Sequence, residues 1–358
     1  MPETHAVRRE RLADHLTTVG AEAALVTRLV NVRYLTGFTG SNAALLVTPQ
    51  HAVLATDGRY ITQSAAQAPD VERVIDRACA AALLTRAGRD GLRRVAFEAH
   101  DVTVEAHQAL SGLDGAPALV PLGHAVEELR TVKDDEELAL LREACAIGDR
   151  ALQELFGTIA PGRTERDIAR ELEGRMLDHG ADGIAFETIV ATGPNSAVPH
   201  HRPTDRVVEA GDLLKIDFGA LYRGYHADCT RTVVVGQAAD WQVEIHALVR
   251  AAQRAGRHAL APGVDVQAVD SAARDVIEAA GFADNFTHGL GHGVGLEIHE
   301  APSIGYSATG RLDACTPVTV EPGVYLPGRG GVRIEDTLVV RDGEPELLTT
   351  TSKDLLVL

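Results

Sequence analysis

A chain of 358 residues is too long for one compact core and fits about two domains of roughly 100–200 residues each. Its 34 basic residues against 51 acidic ones leave a net charge of −17, which argues against a nucleic-acid partner because phosphate counterions would find no basic stripe to replace them. Apolar residues at 45% and charged ones at 24% are ordinary globular values and exclude wholesale disorder. No run approaches the ~18 apolar residues of a membrane span, and the first residues lack the apolar stretch of a signal peptide. The four cysteines (Cys79, Cys145, Cys229, Cys315) form no CxxC pair and suit a reducing compartment. A soluble, cytoplasmic protein is expected.

Residues 1–16 alternate charge and apolar side chains as a surface helix does. Strands are predicted at 23–27, 42–48, 51–57 and 94–100, each short, apolar and bounded by Gly, Pro or Asp. Helices are predicted at 59–68 and 71–87 from their periodicity. These elements make a small α/β domain, and we set the boundary at 1–125 and 126–358. A long helix over about 134–156 follows, with acids in its first turn to complement the helix dipole. Then a pattern recurs. Ala160-Pro161-Gly162 leads into a helix ending at Gly180, and Ala261-Pro262-Gly263 into one ending at Gly281, both offset by 101 residues. Each follows a long helix, and Thr164 with Asp167 gives a capping pattern in the first copy. Two related halves predict a site between them.

The chemistry gathers in the last two-fifths of the chain. Asp217 and Asp228 lie in two β-prone segments joined by a stretch containing Gly224, a hairpin that can aim both acids at one face while Cys229 points away. Two such acids in apolar surroundings are costly unless a cation sits between them, whereas either one alone reads as a surface turn residue. The segment HGLGHGVGLEIHE holds His288, His292 and His299 among glycines that permit positive φ or a close approach of the backbone to a ligand. A lone histidine here would be structural; three in this pattern read as ligand and proton carriers. A phosphate loop is rejected because histidines and acids interrupt it, and no HExxH is present for a single-zinc site. Glu321, held extended by Pro322, and Glu335 add two more carboxylates, each a surface residue if taken alone. Together Asp217, Asp228, His292, Glu321 and Glu335 are too many ligands for one small cation and suit two that share bridging carboxylates, as in hydrolases that use a metal-held hydroxide. Oxygen-rich ligation favours Mn²⁺ and leaves Zn²⁺, Co²⁺ and Fe²⁺ open.

The order of these segments (KIDFGA, HADCTRT, GLGHGVG, VEPGVY and RIEDT) resembles the pita-bread metallopeptidases, family M24. NVRYLTGFTGSNAALLVT and ATDGRYITQ resemble the N-terminal domain of its Xaa-Pro branch, which comprises aminopeptidase P and prolidase. The resemblance implies an α+β architecture: a creatinase-like α/β domain followed by a pseudo-two-fold pita-bread catalytic domain. It implies that Asp217 chelates one of two divalent ions, Asp228 and Glu335 bridge both, and His292 with Glu321 completes the other. Glu321 would also shuttle protons. His200 matches a histidine near the metals, His288 and His299 match the substrate-binding and transition-state histidines, and Arg333 matches the arginine that supports the bridging glutamate. The implied substrates are small peptides with proline at the second position, and a homodimer is implied because family N-domains often roof the partner's active site.

An Xaa-Pro aminopeptidase is the reading preferred, on the wording of the N-domain. A prolidase restricted to dipeptides is the alternative, and it needs a basic group such as Arg33, Arg59, Arg202 or Arg223 to pair the substrate carboxylate. Creatinase-like hydrolysis and an inactive binding module on this fold are remote, because both lose acidic ligands that this chain keeps.

Overall fold

Residues 2–358 are described by the computed structural model, in which the chain separates into two compact units after Arg130. In the first unit α1 (Pro2–Val19) buries Leu12 and Leu16, so it is more than a surface helix. It is followed by β1 (Ala23–Val26), α2 (Leu29–Thr36), β2 (Ala43–Val47), β3 (Ala52–Thr56), α3 (Ile61–Gln67), β4 (Glu72–Ile75), α4 (Cys79–Arg89), β5 (Arg94–Phe97), α5 (Val104–Ser111), β6 (Ala118–Pro121) and α6 (Ala125–Thr131). The sheet order is β4-β3-β2-β1-β5-β6, and the apolar residues Leu25, Leu46, Val53, Leu83, Leu84 and Val95 share its core.

The predicted strands over 23–57 form as expected, and the one at 94–100 ends early, at Phe97. Residues 71–87, expected as one helix, instead divide into β4 and α4. Val71, Val74 and Ile75 are β-branched, and β4 pairs in parallel with β3. The Asp76 carboxylate then accepts from the Ala78 N–H at 2.8 Å, turning the chain into α4.

The second unit begins with a capping box: the Asp134 side chain accepts from the Glu137 N–H at 2.9 Å, and the Glu137 side chain returns the contact at 3.0 Å. It starts α7 (Asp135–Phe156), which packs with α8 (Glu165–Asp178). Next come β7 (Gly183–Ile184), β8 (Ile189–Thr192), β9 (Leu213–Phe218), β10 (Ala220–Tyr222), β11 (Tyr225–His226) and β12 (Cys229–Val234). The second half repeats the helix pair as α9 (Asp240–Ala259) and α10 (Val266–Ala279), then adds β13 (Gly291–Gly293), β14 (Glu300–Ile304), β15 (Pro317–Val320), β16 (Gly323–Leu326), β17 (Gly330–Arg333), β18 (Asp336–Val339) and β19 (Glu346–Leu347).

The two Ala-Pro-Gly turns do equivalent work. Gly162 and Gly263 both have positive φ, and the N–H of each donates to a downstream carbonyl, that of Val208 and that of Leu312. Thr164 and Asp265, two residues later, each form an isolated antiparallel bridge, to Val207 and Arg311. The halves meet where β9 and β12 of the first lie against β17 and β18 of the second. There Thr232 Oγ1 donates to the Arg333 carbonyl at 2.9 Å, and the Glu335 N–H donates to the Thr230 carbonyl at 3.1 Å. Among the described residues no helix is long and apolar enough to cross a membrane.

Candidate metal centre

Strand pairing aims the first two acids. In the antiparallel pair β9–β12, Asp217 lies opposite Thr230. Asp228 is two residues before Thr230 and therefore shares its face. The chain between them reverses at Arg223 and Gly224, both with positive φ, as a two-residue hairpin turn requires. At Gly219 the Ala227 carbonyl oxygen lies 1.8 Å from where a Cβ would stand, so only glycine fits beside the two acids.

His292 sits at a bulge in β13. Its Nδ1 lies 3.0 Å from the Gly293 carbonyl, which makes Nδ1 the donor and leaves Nε2 facing inward, 3.4 Å from Asp228 and 3.5 Å from Glu321. The flanking glycines serve a different end from the one expected. A Cβ at Gly291 would meet the Thr319 carbonyl at 2.0 Å, and one at Gly293 the Ala301 carbonyl at 2.1 Å, so they let neighbouring backbone close in rather than a ligand. Glu321 follows β15, and Glu335 precedes β18. Thr230 Oγ1 donates to the Glu335 carboxylate at 2.7 Å and accepts from Arg333 Nε at 3.1 Å.

All five predicted ligand residues line one cavity of about 320 Å³. Ligand atoms of Asp228, His292 and Glu335 all lie within 4.8 Å of one another. Burial pushes the carboxyls of Asp228, Glu321 and Glu335 above their ordinary range, and the neighbouring acids add to the shift. Burial opposes the His292 imidazolium, yet Asp228 and Glu321 hold its pKa up to about 9. Asp217 Oδ1 is fully buried without any hydrogen-bond donor. Four acids face one cavity with Arg333 and His292 as the cationic groups beside them, an excess of negative charge that fits a site for divalent cations, which would reverse each of these shifts.

The other predicted residues divide. His200 and His299 line the cavity, and the His299 ring stands edge-on to His292 with centroids 4.4 Å apart. His288 does not line it. Its Nε2 meets the Tyr325 hydroxyl at 2.9 Å, and burial lowers its pKa to about 4. Arg333, expected to support Glu335, bonds Asp217 directly and reaches Glu335 through the Thr230 hydroxyl. Its guanidinium is also engaged by the Pro199 carbonyl at 3.1 Å and the Tyr325 hydroxyl at 2.8 Å, which leaves the Thr230 hydroxyl as the group bonded to Glu335. Of the four candidate arginines, Arg202 lines the cavity, with its guanidinium 3.1 Å from Glu187.

Besides Thr230, three supporting residues escaped the sequence reading. Buried Lys215 donates to the carbonyls of Val198 (2.6 Å) and Pro199 (3.1 Å), fixing the segment that carries His200. Buried Glu165 accepts from Thr192, Asn195 and Thr204 and lies 2.8 Å from His201, tying down the same segment. Tyr325 bridges His288 and Arg333. Lys215 and Tyr325 lie inside the quoted KIDFGA and EPGVY segments, two residues before Asp217 and four after Glu321, which was the available signal.

The fold and donor set agree with what the chain resembles. Residues 139–342 match the metallopeptidase family M24 model, and residues 8–132 match the creatinase/prolidase N-terminal domain. An uncharacterized peptidase of Bacillus subtilis is 38% identical over 354 residues, spanning 98% of this chain and all of that protein. An Xaa-Pro dipeptidase of Pyrococcus furiosus is 43% identical over 231 residues, covering 64% of this chain and 66% of its own. Among solved structures, the Xaa-Pro dipeptidase from Bacillus anthracis superposes with a TM-score of 0.96 at 36% identity, covering 99% of this chain and 100% of its own. The X-Pro aminopeptidase from Thermotoga maritima gives 0.90 at 36%, covering 98% and 99%. The chain belongs to metallopeptidase family M24, joined to a creatinase/prolidase-type N-terminal domain.

Proposed function

We propose that this metallopeptidase is an exopeptidase that hydrolyses the Xaa-Pro bond at the N-terminus of peptides, using two divalent ions, Mn²⁺ first among them. The observation that carries the reading is the single cavity lined by Asp217, Asp228, His292, Glu321 and Glu335, with a buried Asp217 oxygen that no protein donor satisfies. When bound, the ions polarise the scissile carbonyl and make water a competent nucleophile near neutral pH.

The chain's own groups do the rest. An Xaa-Pro bond is a tertiary amide without an N–H, so recognition has to come from its carbonyl and from the ring that follows. Glu321 borders both the cavity and His292, which places its carboxylate where it can take up the proton the attacking water loses. His299 and His200 line the same space; one can hydrogen-bond the carbonyl oxygen as negative charge develops while the other supplies a proton to the leaving proline nitrogen. Arg333 and Thr230 keep Asp217 and Glu335 aimed inward, a positioning role. A homodimer and a cytoplasmic location complete the proposal.

A second reading, a strict Xaa-Pro dipeptidase, is favoured by one observation: Arg202 stands at the cavity wall, where it could pair a dipeptide's carboxylate. The test is hydrolysis by Mn²⁺-loaded protein of an Xaa-Pro dipeptide and of the same sequence extended by two residues. Cleavage of the extended peptide supports the aminopeptidase. Cleavage of the dipeptide alone, lost in Arg202→Ala, makes the chain a dipeptidase, and cleavage of neither overturns both readings.

A further inference from the structure

The first unit contains a second group of metal-ligating side chains, separate in sequence from the five residues of the catalytic cavity. His100 lies on the loop after β5, His124 immediately precedes α6, and Glu127 lies in the first turn of α6. One ligand atom from each falls within 4.8 Å of the others. His100 Nε2 is 3.1 Å from Glu127 Oε1, close to the roughly 3.3 Å that separates neighbouring ligands around a tetrahedral ion with bonds of about 2.0–2.1 Å. The two imidazole rings lie with centroids 4.4 Å apart and planes 35° from parallel. We propose that His100, His124 and Glu127 form a binding site for a borderline divalent ion of the Zn²⁺ class, distinct from the catalytic cations.

Pre-organisation and ligand chemistry both support it. The Glu127 carboxylate is not a swinging surface acid: Asn31 Nδ2 donates to Oε1 at 2.7 Å and Arg28 Nη1 at 2.9 Å, and the side chain is only 17% exposed. Asn31 is itself locked, because its other amide hydrogen goes to Glu98 at 2.6 Å and its oxygen accepts from Arg130 at 2.7 Å. The two histidines are exposed, so Glu127 is the fixed member of the group and the imidazoles order around the ion. The Asn31 and Arg28 contacts and that of His100 all fall on Glu127 Oε1, so an ion would take the place of the proton between His100 Nε2 and that oxygen. Arg28 offsets part of the carboxylate's charge. That weakens the site for hard ions such as Mg²⁺ or Ca²⁺ and leaves the two imidazoles as its main donors, which selects Zn²⁺, Ni²⁺ or Cu²⁺. Three protein ligands leave one position of a tetrahedron for water. An ion there would fasten the loop after β5 to the start of α6.

The test is a metal count on the full-length chain. Wild type, His124→Gln and the His100→Ala/His124→Ala double variant are equilibrated with Zn²⁺, freed of unbound metal and analysed for bound equivalents. Each is also titrated with Co²⁺ and followed by visible absorption. The expected result is one equivalent fewer in the double variant, at least about a tenfold weaker last equivalent in His124→Gln, and loss of the corresponding Co²⁺ band. Mn²⁺-dependent peptide hydrolysis should be the same in all three. Equal counts in all three proteins overturn the proposal, as does a Co²⁺ band that survives in the double variant. His124→Gln keeps an exposed polar side chain, so it reports even if the double variant folds poorly.

Discussion

Glu335 and Asp336 are consecutive residues, equally buried at 1% and 0% exposure, and electrostatic opposites. Strand alternation sends their side chains to the two faces of the same layer. Glu335 faces the cavity, where Thr230 donates to it, the other acids crowd it and its carboxyl is pushed well above the ordinary range by burial. Asp336 faces away. It accepts from Arg231 at 2.7 Å, Lys353 at 2.7 Å, Gln253 at 2.9 Å and Thr349 at 3.0 Å. Burial would raise its carboxyl too, but Arg231 and Lys353 outweigh that and hold it below the usual value. The partner strand repeats the division, with Thr230 turned toward the cavity and Arg231 away from it. Burial alone therefore does not mark a functional acid. What distinguishes the cavity face is that the chain supplies Asp336 with its counter-charges and leaves those of Glu335 to a bound cation.

The largest expected effect on the cavity face comes from Asp228→Ala, which should abolish turnover even with added Mn²⁺ while leaving the circular dichroism spectrum unchanged. Retained activity would contradict a shared-ligand centre. On the other face, Asp336→Ala strands the buried charges of Arg231 and Lys353 and should cost about 3–5 kcal/mol in denaturant unfolding. A loss under about 1 kcal/mol would show that those cations find other partners.

That face is also already rich in cations, which gives it a pH signature. Burial, reinforced by Arg250, lowers the pKa of His246 to about 4. The unfolded chain binds this proton below about 6.5 and the folded chain only below about 4. The associated stability is therefore complete above pH 6.5 and lost as pH falls through that window, about 3 kcal/mol in all. His246→Gln should remove that part of the slope from pH-dependent unfolding curves. The smallest effect is expected from Thr230→Val, which keeps the shape but deletes both the donor to Glu335 and the acceptor of Arg333 Nε, and should lower activity about 10–100-fold at a cost of about 1–3 kcal/mol in stability.

Much of this was legible because it is local. The acid-rich start of the helix at about 134, the Thr164 cap, the paired Ala-Pro-Gly turns and the β-prone runs at 23–57 are short patterns whose physics is complete within a few residues. The five cavity-lining acids and histidine could be read because each lies in a chemically distinctive segment. Residues 71–87 misled because apolar spacing there fits a helix, and only pairing with β3 selects the strand. The supporting contacts were hidden for a stronger reason: Thr230 meets Glu335 across 105 residues and Arg333 meets Asp217 across 116, separations at which no sequence pattern reports a partner. The aim of His288, toward Tyr325 rather than the cavity, likewise depends on a residue 37 positions away.

The central claim, that the cavity acids are completed by cations the chain does not itself provide, is tested most directly by stripping the protein with a chelator. Metal-free status is verified by elemental analysis, and cleavage of an extended Xaa-Pro peptide is then followed before and after adding Mn²⁺. Loss of cleavage on stripping and its return with Mn²⁺ is the result expected here. A verified metal-free protein that cleaves at the original rate would contradict it.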